Sequence, residues 1–237
     1  MDESGPTTLL LFDIDGTLIR SAGSGRAALE RAFLSVYGID NGFQTIQMMG
    51  RTDPGILSEA LDQHGLTWKD DEVARFRKIY FNSLEEEIDQ DREGKRICAG
   101  IPELLNRLSE RTDAVLALLT GNWRQSSTIK LRHFGLDSYF RFGAFGDDSP
   151  RREELVPVAV ERFSKTFHST PRQEDVYVIG DTPLDIHCAK PHGARTVAVA
   201  TGFHTIEQLM LENPDYLFAD FSDTDAVLTV LMGSVPG

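Results

Sequence analysis

The stretch Leu9-Leu10-Leu11-Phe12-Asp13-Ile14-Asp15-Gly16-Thr17 constrains this chain more than any other, because an apolar run stops abruptly at two carboxylates. It reads as a buried strand ending in charge. In parallel α/β sheets ligands sit just beyond the carboxyl ends of strands, so Asp13 and Asp15 stand where chemistry is expected, and Gly16 frees the backbone to turn. One carboxylate could attack while the other moves a proton. Two such groups this close repel each other unless a cation or a shifted proton relieves them. The D-x-D-G string is not an EF-hand loop, which needs a third ligand before its glycine and a helix in front.

The pattern after Thr17 turns helical. Ala27, Leu29, Ala32, Phe33, Val36 and Tyr37 form an amphipathic stripe that Gly38 ends, and further helical runs follow from Asp53 to His64 and from Lys69 to Ile88. A polar linker, Asp89 to Lys95, closes this block. Helix and strand patterns then alternate: helix from Ile101 to Arg111, strand from Ala114 to Leu119, helix from Trp123 to Phe134, a short strand near Phe142 to Phe145, and helix from Arg151 to Phe167. Val176 to Ile179, Pro183 to Lys190 and Thr196 to Ala200 repeat strand, helix, strand. This alternation predicts an α/β fold, a Rossmann-like parallel sheet covered by helices on both faces, with the helical block inserted after the first strand. Gly23-Ser24-Gly25-Arg26-Ala27-Ala28 fits a loose dinucleotide fingerprint, but Asp13 to Arg20 separates it from the strand it should follow, so a hinge into the insert is expected instead.

Three later segments offer partners to the acid pair. Leu118-Leu119-Thr120-Gly121-Asn122 is a second strand running into small polar residues. Asn122 could cap a helix, or the Thr120 hydroxyl and the backbone N–H groups after it could cradle phosphate oxygens. In Ser149-Pro150-Arg151-Arg152-Glu153-Glu154, Ser149 reads as an N-cap and Pro150 as the first helical residue, which puts two arginines in a first turn whose dipole disfavours them. A bound anion would explain that placement. Val178-Ile179-Gly180-Asp181-Thr182-Pro183-Leu184-Asp185 ends a third strand in acid. Asp181 and Asp185 lie four apart, an arrangement on one helix face that calls for a cation, and hard oxygen donors with room for water suit Mg2+.

The totals narrow the function classes. A formal charge of -13 over 237 residues argues against non-specific nucleic-acid binding and anionic membrane surfaces. Two cysteines, Cys98 and Cys188, are too few for a disulfide scaffold or a four-ligand zinc site. Acidic Met1-Asp2-Glu3-Ser4 and the short apolar run after it do not resemble a signal peptide or a membrane span, so a cytoplasmic protein is expected. The six histidines show no ligand spacing, and Trp68 and Trp123 read as packing residues.

The four strand ends together resemble the haloacid dehalogenase superfamily of phosphohydrolases, whose motifs occur in this chain order. Asp13-x-Asp15-Gly16-Thr17 looks like motif I, Thr120 like motif II, and Gly180-Asp181-Thr182-Pro183-Leu184-Asp185 like motif IV. The motif III cation is assigned to Arg152, with Arg151 beside it as the competitor. The resemblance implies a core domain of residues 1–18 and 97–237 and a helical C1 cap of residues 19–96, nearest to phosphoglycolate-phosphatase-like members. It further implies a small-molecule phosphate ester as substrate, Asp13 as nucleophile and Asp15 as acid and base. Mg2+ would be held by Asp13, Asp15, Asp181 and Asp185, and the phosphate by Thr120, Gly121, Asn122 and Arg152. Arg51, in the insert's Gln47 to Asp53 segment, is a candidate for pairing with a substrate carboxylate or, alternatively, with Asp53. A sugar phosphomutase would use the same two aspartates, a dehalogenase would have no use for Asp15, and a receiver-like signalling module would carry its acceptor on the third strand. A pseudoenzyme would be expected to lose an acid, and all four are present.

Overall fold

The computed structural model describes residues 6–232; the N-terminal segment Met1 to Ser4 lies outside them. Thr8–Phe12 forms β1, in which Leu9, Leu10, Leu11 and Phe12 are all fully buried. Burying one such side chain contributes about 1.5–3 kcal/mol. A strand apolar on both faces has to sit inside a sheet. The strands that surround it are β4 (Ala114–Leu119), β5 (Gly143–Ala144), β6 (Val176–Gly180), β7 (Arg195–Val199) and β8 (Tyr216–Phe218). They form one parallel sheet in the order β5-β4-β1-β6-β7-β8. Strand order reverses on either side of β1, so the crevice at its carboxyl end is the expected ligand position.

Side chains alternate between two cores. Leu10 and Phe12 join Leu116 and Leu118 of β4 beneath α4 (Ile101–Ser109) and α9 (Thr224–Met232). Leu9 and Leu11 join Val115, Ala117 and Leu119 beneath α6 (Leu155–Phe167) and α7 (Pro183–Ala189). The remaining core elements are α5 (Arg124–His133) and α8 (Ile206–Leu211). No described helix is long and apolar enough to cross a membrane.

Between β1 and the rest lie α1 (Ser24–Tyr37), α2 (Asp53–Gln63) and α3 (Asp70–Asp89), with a hydrophobic cluster of their own. Gly38 ends α1 in the left-handed conformation, at φ 71°. A two-stranded antiparallel ribbon, β2 (Ile19–Arg20) with β3 (Arg96–Ile97), brackets this block. The sequence pattern did not indicate this ribbon, because two residues per strand carry no periodicity. Nor did it indicate α8, β8 and α9, which complete the sheet edge. The helix expected from Arg151 begins later: Arg152–Glu154 is a single 3-10 turn and α6 starts at Leu155. Ser149 therefore caps no α-helix; its hydroxyl oxygen accepts from the Arg151 N–H at 3.0 Å and its O–H donates to Glu154.

Phe33 centres the helical cluster, fully buried and in aromatic contact with Tyr37, Phe43, His64 and Phe76. Phe33→Ala is expected to lower the unfolding free energy by about 3–5 kcal/mol in urea titrations. A loss below about 1 kcal/mol would show that the cluster does not depend on this ring.

Candidate active site

Strand β1 delivers Asp13 to the end of the sheet, where its N–H donates to the Ile179 carbonyl of β6 at 2.9 Å. Adjacent β6 delivers Asp181, and the first turn of α7 delivers Asp185. The three carboxylates are buried, each with an oxygen within 4.8 Å of the others. Asp181 and Asp185 do not share a helix face as their spacing suggested. Asp181 precedes α7, whereas Asp185 closes its capping box, with Oδ2 accepting from the Thr182 N–H at 3.0 Å and the Thr182 hydroxyl at 2.7 Å.

Burial and mutual repulsion raise Asp13 and Asp181. Asp13 is pushed up to about 6, mainly by burial, with Arg152 opposing and Asp185 and Asp15 adding to the rise. Asp181 is raised well above the carboxylate range by burial and then by Asp185 and Asp13. Among the described residues its one close side-chain donor is the Thr17 hydroxyl, at 3.2 Å. A Cβ on Gly202 would lie 1.7 Å from Asp181 Oδ2 and one on Gly16 would lie 2.3 Å from it, so both glycines keep the space beside this oxygen clear. Clustered hard oxygen donors with too little positive charge are the arrangement that a divalent cation satisfies.

Two buried cations serve the site. Arg152 lies 3.1 Å from Asp13 Oδ1 and hydrogen-bonds Asp185 Oδ1, while its Nε has no partner among the described residues. Arg151 is exposed and pairs with Glu154, so of the two arginines Arg152 alone reaches the acids. Lys130 of α5 is the residue that sequence reasoning missed. Its ammonium group donates to Asp15 Oδ2 and Asn122 Oδ1, both at 2.6 Å. A lysine in a helix with basic neighbours reads as a solvated side chain, and only its i+8 spacing from Asn122 hinted otherwise. Asn122 Nδ2 donates to Asp15 Oδ2 at 2.8 Å and to the Thr120 hydroxyl oxygen at 2.9 Å. Thr120 thus accepts from Asn122 and keeps its own O–H to donate. These groups line one cavity of about 220 Å3 together with Gly121, Arg20, Arg51 and Tyr80.

The loop before α2 closes onto this cavity. The Asp53 N–H donates to the Gly121 carbonyl at 2.7 Å, and the Thr52 hydroxyl donates to the Pro150 carbonyl at 2.6 Å. A Cβ on Gly121 would fall 2.1 Å from the Arg51 carbonyl, so the close approach needs glycine. Asp53 is not the exposed partner of Arg51 considered above. It is buried, accepting from the Trp123 N–H at 2.8 Å and the Ser126 hydroxyl at 3.1 Å, whereas Arg51 pairs with Glu59. Trp123 packs into the helical cluster, as expected of a packing residue, while Trp68 is 43% exposed and donates to Asp70.

The description "haloacid dehalogenase-like hydrolase" matches residues 10–199. The chain belongs to this family. The hydrolase is 27% identical over 233 residues to a phosphoglycolate phosphatase of Haemophilus influenzae, covering 94% of this chain and 97% of that one. A phosphoglycolate phosphatase of Pseudomonas fluorescens is 26% identical over 211 residues, 87% of this chain and 74% of the relative. Among solved structures, a hydrolase from Pseudomonas syringae superposes with a TM-score of 0.69 at 22% identity, covering 96% of this chain and all of that one, which supports the fold.

The docking of Asp53 has a pH signature. Burial, opposed chiefly by Lys130, pushes its carboxyl up to about 6, against about 3.9 in an unfolded chain. The folded state therefore holds this proton more tightly, and the stabilisation from it is full below about pH 4 and lost as pH rises through 6. Relative to Asp53→Asn, wild-type stability should increase by up to about 3 kcal/mol between pH 7 and pH 4 in parallel denaturation series. A difference that stays flat across that window would contradict the burial of this carboxyl.

Proposed function

We propose that this hydrolase is a Mg2+-dependent phosphatase that cleaves a small-molecule phosphate monoester through an aspartyl phosphate on Asp13, in the manner of a phosphoglycolate phosphatase. The observation that carries the reading is the buried Asp13 carboxylate, paired with the Arg152 guanidinium and followed two residues later by a second acid, Asp15, that accepts from Asn122 and Lys130.

Each residue then has a task. Asp13 attacks phosphorus as the ester P–O bond breaks, and Asp15 gives its proton to the departing alcohol oxygen. Asp15, now ionised, takes a proton from water. The water oxygen bonds to phosphorus, the acyl-phosphate bond breaks, and the Asp13 carboxylate returns. Asn122 and Lys130 orient Asp15 for both transfers. The Thr120 O–H, the Gly121 backbone, the Asn122 N–H that here lies 3.3 Å from the Thr120 oxygen, and the Arg152 guanidinium receive phosphate oxygens as charge spreads over them. Asp13, Asp181, Asp185 and the Asp15 carbonyl would hold Mg2+, which supplies neutralisation between the anionic nucleophile and its anionic substrate. The helical segment, residues 19–96, acts as a cap: its Thr52 and Asp53 contacts seat it against the phosphate loop, where it excludes water and selects the leaving group.

Phosphate release from a panel of phosphomonoesters, with Mg2+ and with chelator, tests the reading. Wild-type enzyme should release phosphate only with metal, and Asp13→Asn should fall to background while keeping its circular dichroism spectrum. Wild-type turnover by that variant would sink the nucleophile assignment, and an isomerised sugar phosphate in place of free phosphate would identify a mutase. Independently of turnover, Mg2+ should raise the melting temperature of the wild type and not of Asp181→Asn. An equal rise in both would remove Asp181 from the metal site.

A further inference from the structure

The cavity has four cationic residues on its wall, and three of them are already matched. Arg152 serves Asp13 and Asp185, Lys130 serves Asp15, and Arg51 is paired with Glu59. Arg20 is different. Among the described residues its side chain has neither an ion pair nor a hydrogen bond, and its guanidinium lies over the ring of Phe203, 5.3 Å from the centroid. In a chain of net charge -13, a partly buried arginine at a cavity, with none of the described carboxylates within ion-pairing distance, is out of keeping with its surroundings.

Its backbone position sharpens the point. Arg20 stands directly opposite Arg96 in the two-residue antiparallel ribbon, and like charges in that register destabilise a strand pair. Arg96 turns away and donates to the Gly94 carbonyl at 3.0 Å. Arg20 keeps its place at the cavity instead, against Phe203, whose side chain is 72% exposed. A cation resting on an exposed ring gains about 0.5–1 kcal/mol, too little to justify the arrangement by itself. An anion entering the cavity would supply the missing countercharge.

We infer that Arg20 is the residue that reads the leaving group, and that the leaving group is a small alcohol carrying a carboxylate. This rests on the phosphatase reading above. With the phosphate at Thr120 and Arg152, the one cation left for the rest of the substrate is Arg20, and a single guanidinium matches a monoanion. The cavity volume of about 220 Å3 suits a substrate of a few heavy atoms beyond the phosphate. Arg51, the residue the sequence singled out for this role, has already spent its charge on Glu59.

The test compares 2-phosphoglycolate with 2-hydroxyethyl phosphate, its uncharged near-isostere, and uses p-nitrophenyl phosphate as a general reporter of phosphatase chemistry. Wild-type kcat/KM should favour 2-phosphoglycolate over the neutral ester by at least about 10-fold. Arg20→Ala should lower that ratio by about 10- to 100-fold, Arg20→Lys should restore part of it, and Arg51→Ala should leave the ratio in place. If p-nitrophenyl phosphate is hydrolysed but Arg20→Ala slows both alkyl esters equally, or the ratio follows Arg51 instead, the arginine assignment is wrong and the phosphatase reading stands. If wild type hydrolyses none of the three esters, the phosphatase reading falls and the assignment falls with it.

Discussion

The structure depends on the convergence of three buried carboxylates, Asp13, Asp181 and Asp185, at the carboxyl ends of two adjacent parallel strands. Charges taken out of water repel one another strongly and are tolerated only where opposite charge or donors offset them. Arg152 provides part of that offset by bridging Asp13 and Asp185, and Thr182 provides more by donating twice to Asp185. Among the described residues Asp181 has one side-chain donor, the Thr17 hydroxyl, and lies beside two glycines, so its carboxyl group is left open to the cavity. Strongly perturbed acids and the cavity therefore coincide, as expected where reactivity is built from burial.

Around this centre the chain arranges two unlike kinds of contact. The sheet holds the acids through backbone register, which is stiff and short-ranged. The helical block is held by a loop whose contacts are polar and specific: Asp53 to the start of α5, Thr52 to Pro150, and the Arg51 backbone against Gly121. Trp123 reinforces the joint, since it follows the Thr120-Gly121-Asn122 loop in the chain yet packs in the cluster of the helical block. This loop and the helical block are thus joined through Trp123, and a shift of one is felt by the other.

Much of this was legible in the linear chain, and the reasons differ by residue. The strand β1 and its acid pair stood out because an apolar run ending in charge has few structural explanations. Arg152 stood out for a reason the fold does not keep: it sits in a 3-10 turn ahead of α6, not in an α-helical first turn, and its burial comes from its ion pairs. Lys130 and Asp53 were not legible as contacts. Both look like solvated helix residues, and their partners lie 115 and 70 residues away in sequence. The ribbon of β2 and β3 was invisible because two residues per strand leave no alternation to read.

The sequence by itself determined the sheet from β5 to β7, the helical insertion after the first strand and the identity of the acids, because hydrophobic periodicity and abrupt polar strand ends are local properties of the chain. Only the tertiary structure decided which charges meet. It paired Lys130 with Asp15 and Arg51 with Glu59, turned Asp53 inward, and left Arg20 at the cavity with no ion-pair partner among the described residues. Ion pairing falls off within a few ångströms and ignores separation along the chain, so it is settled by the packing of helices and loops that residue pattern alone does not place.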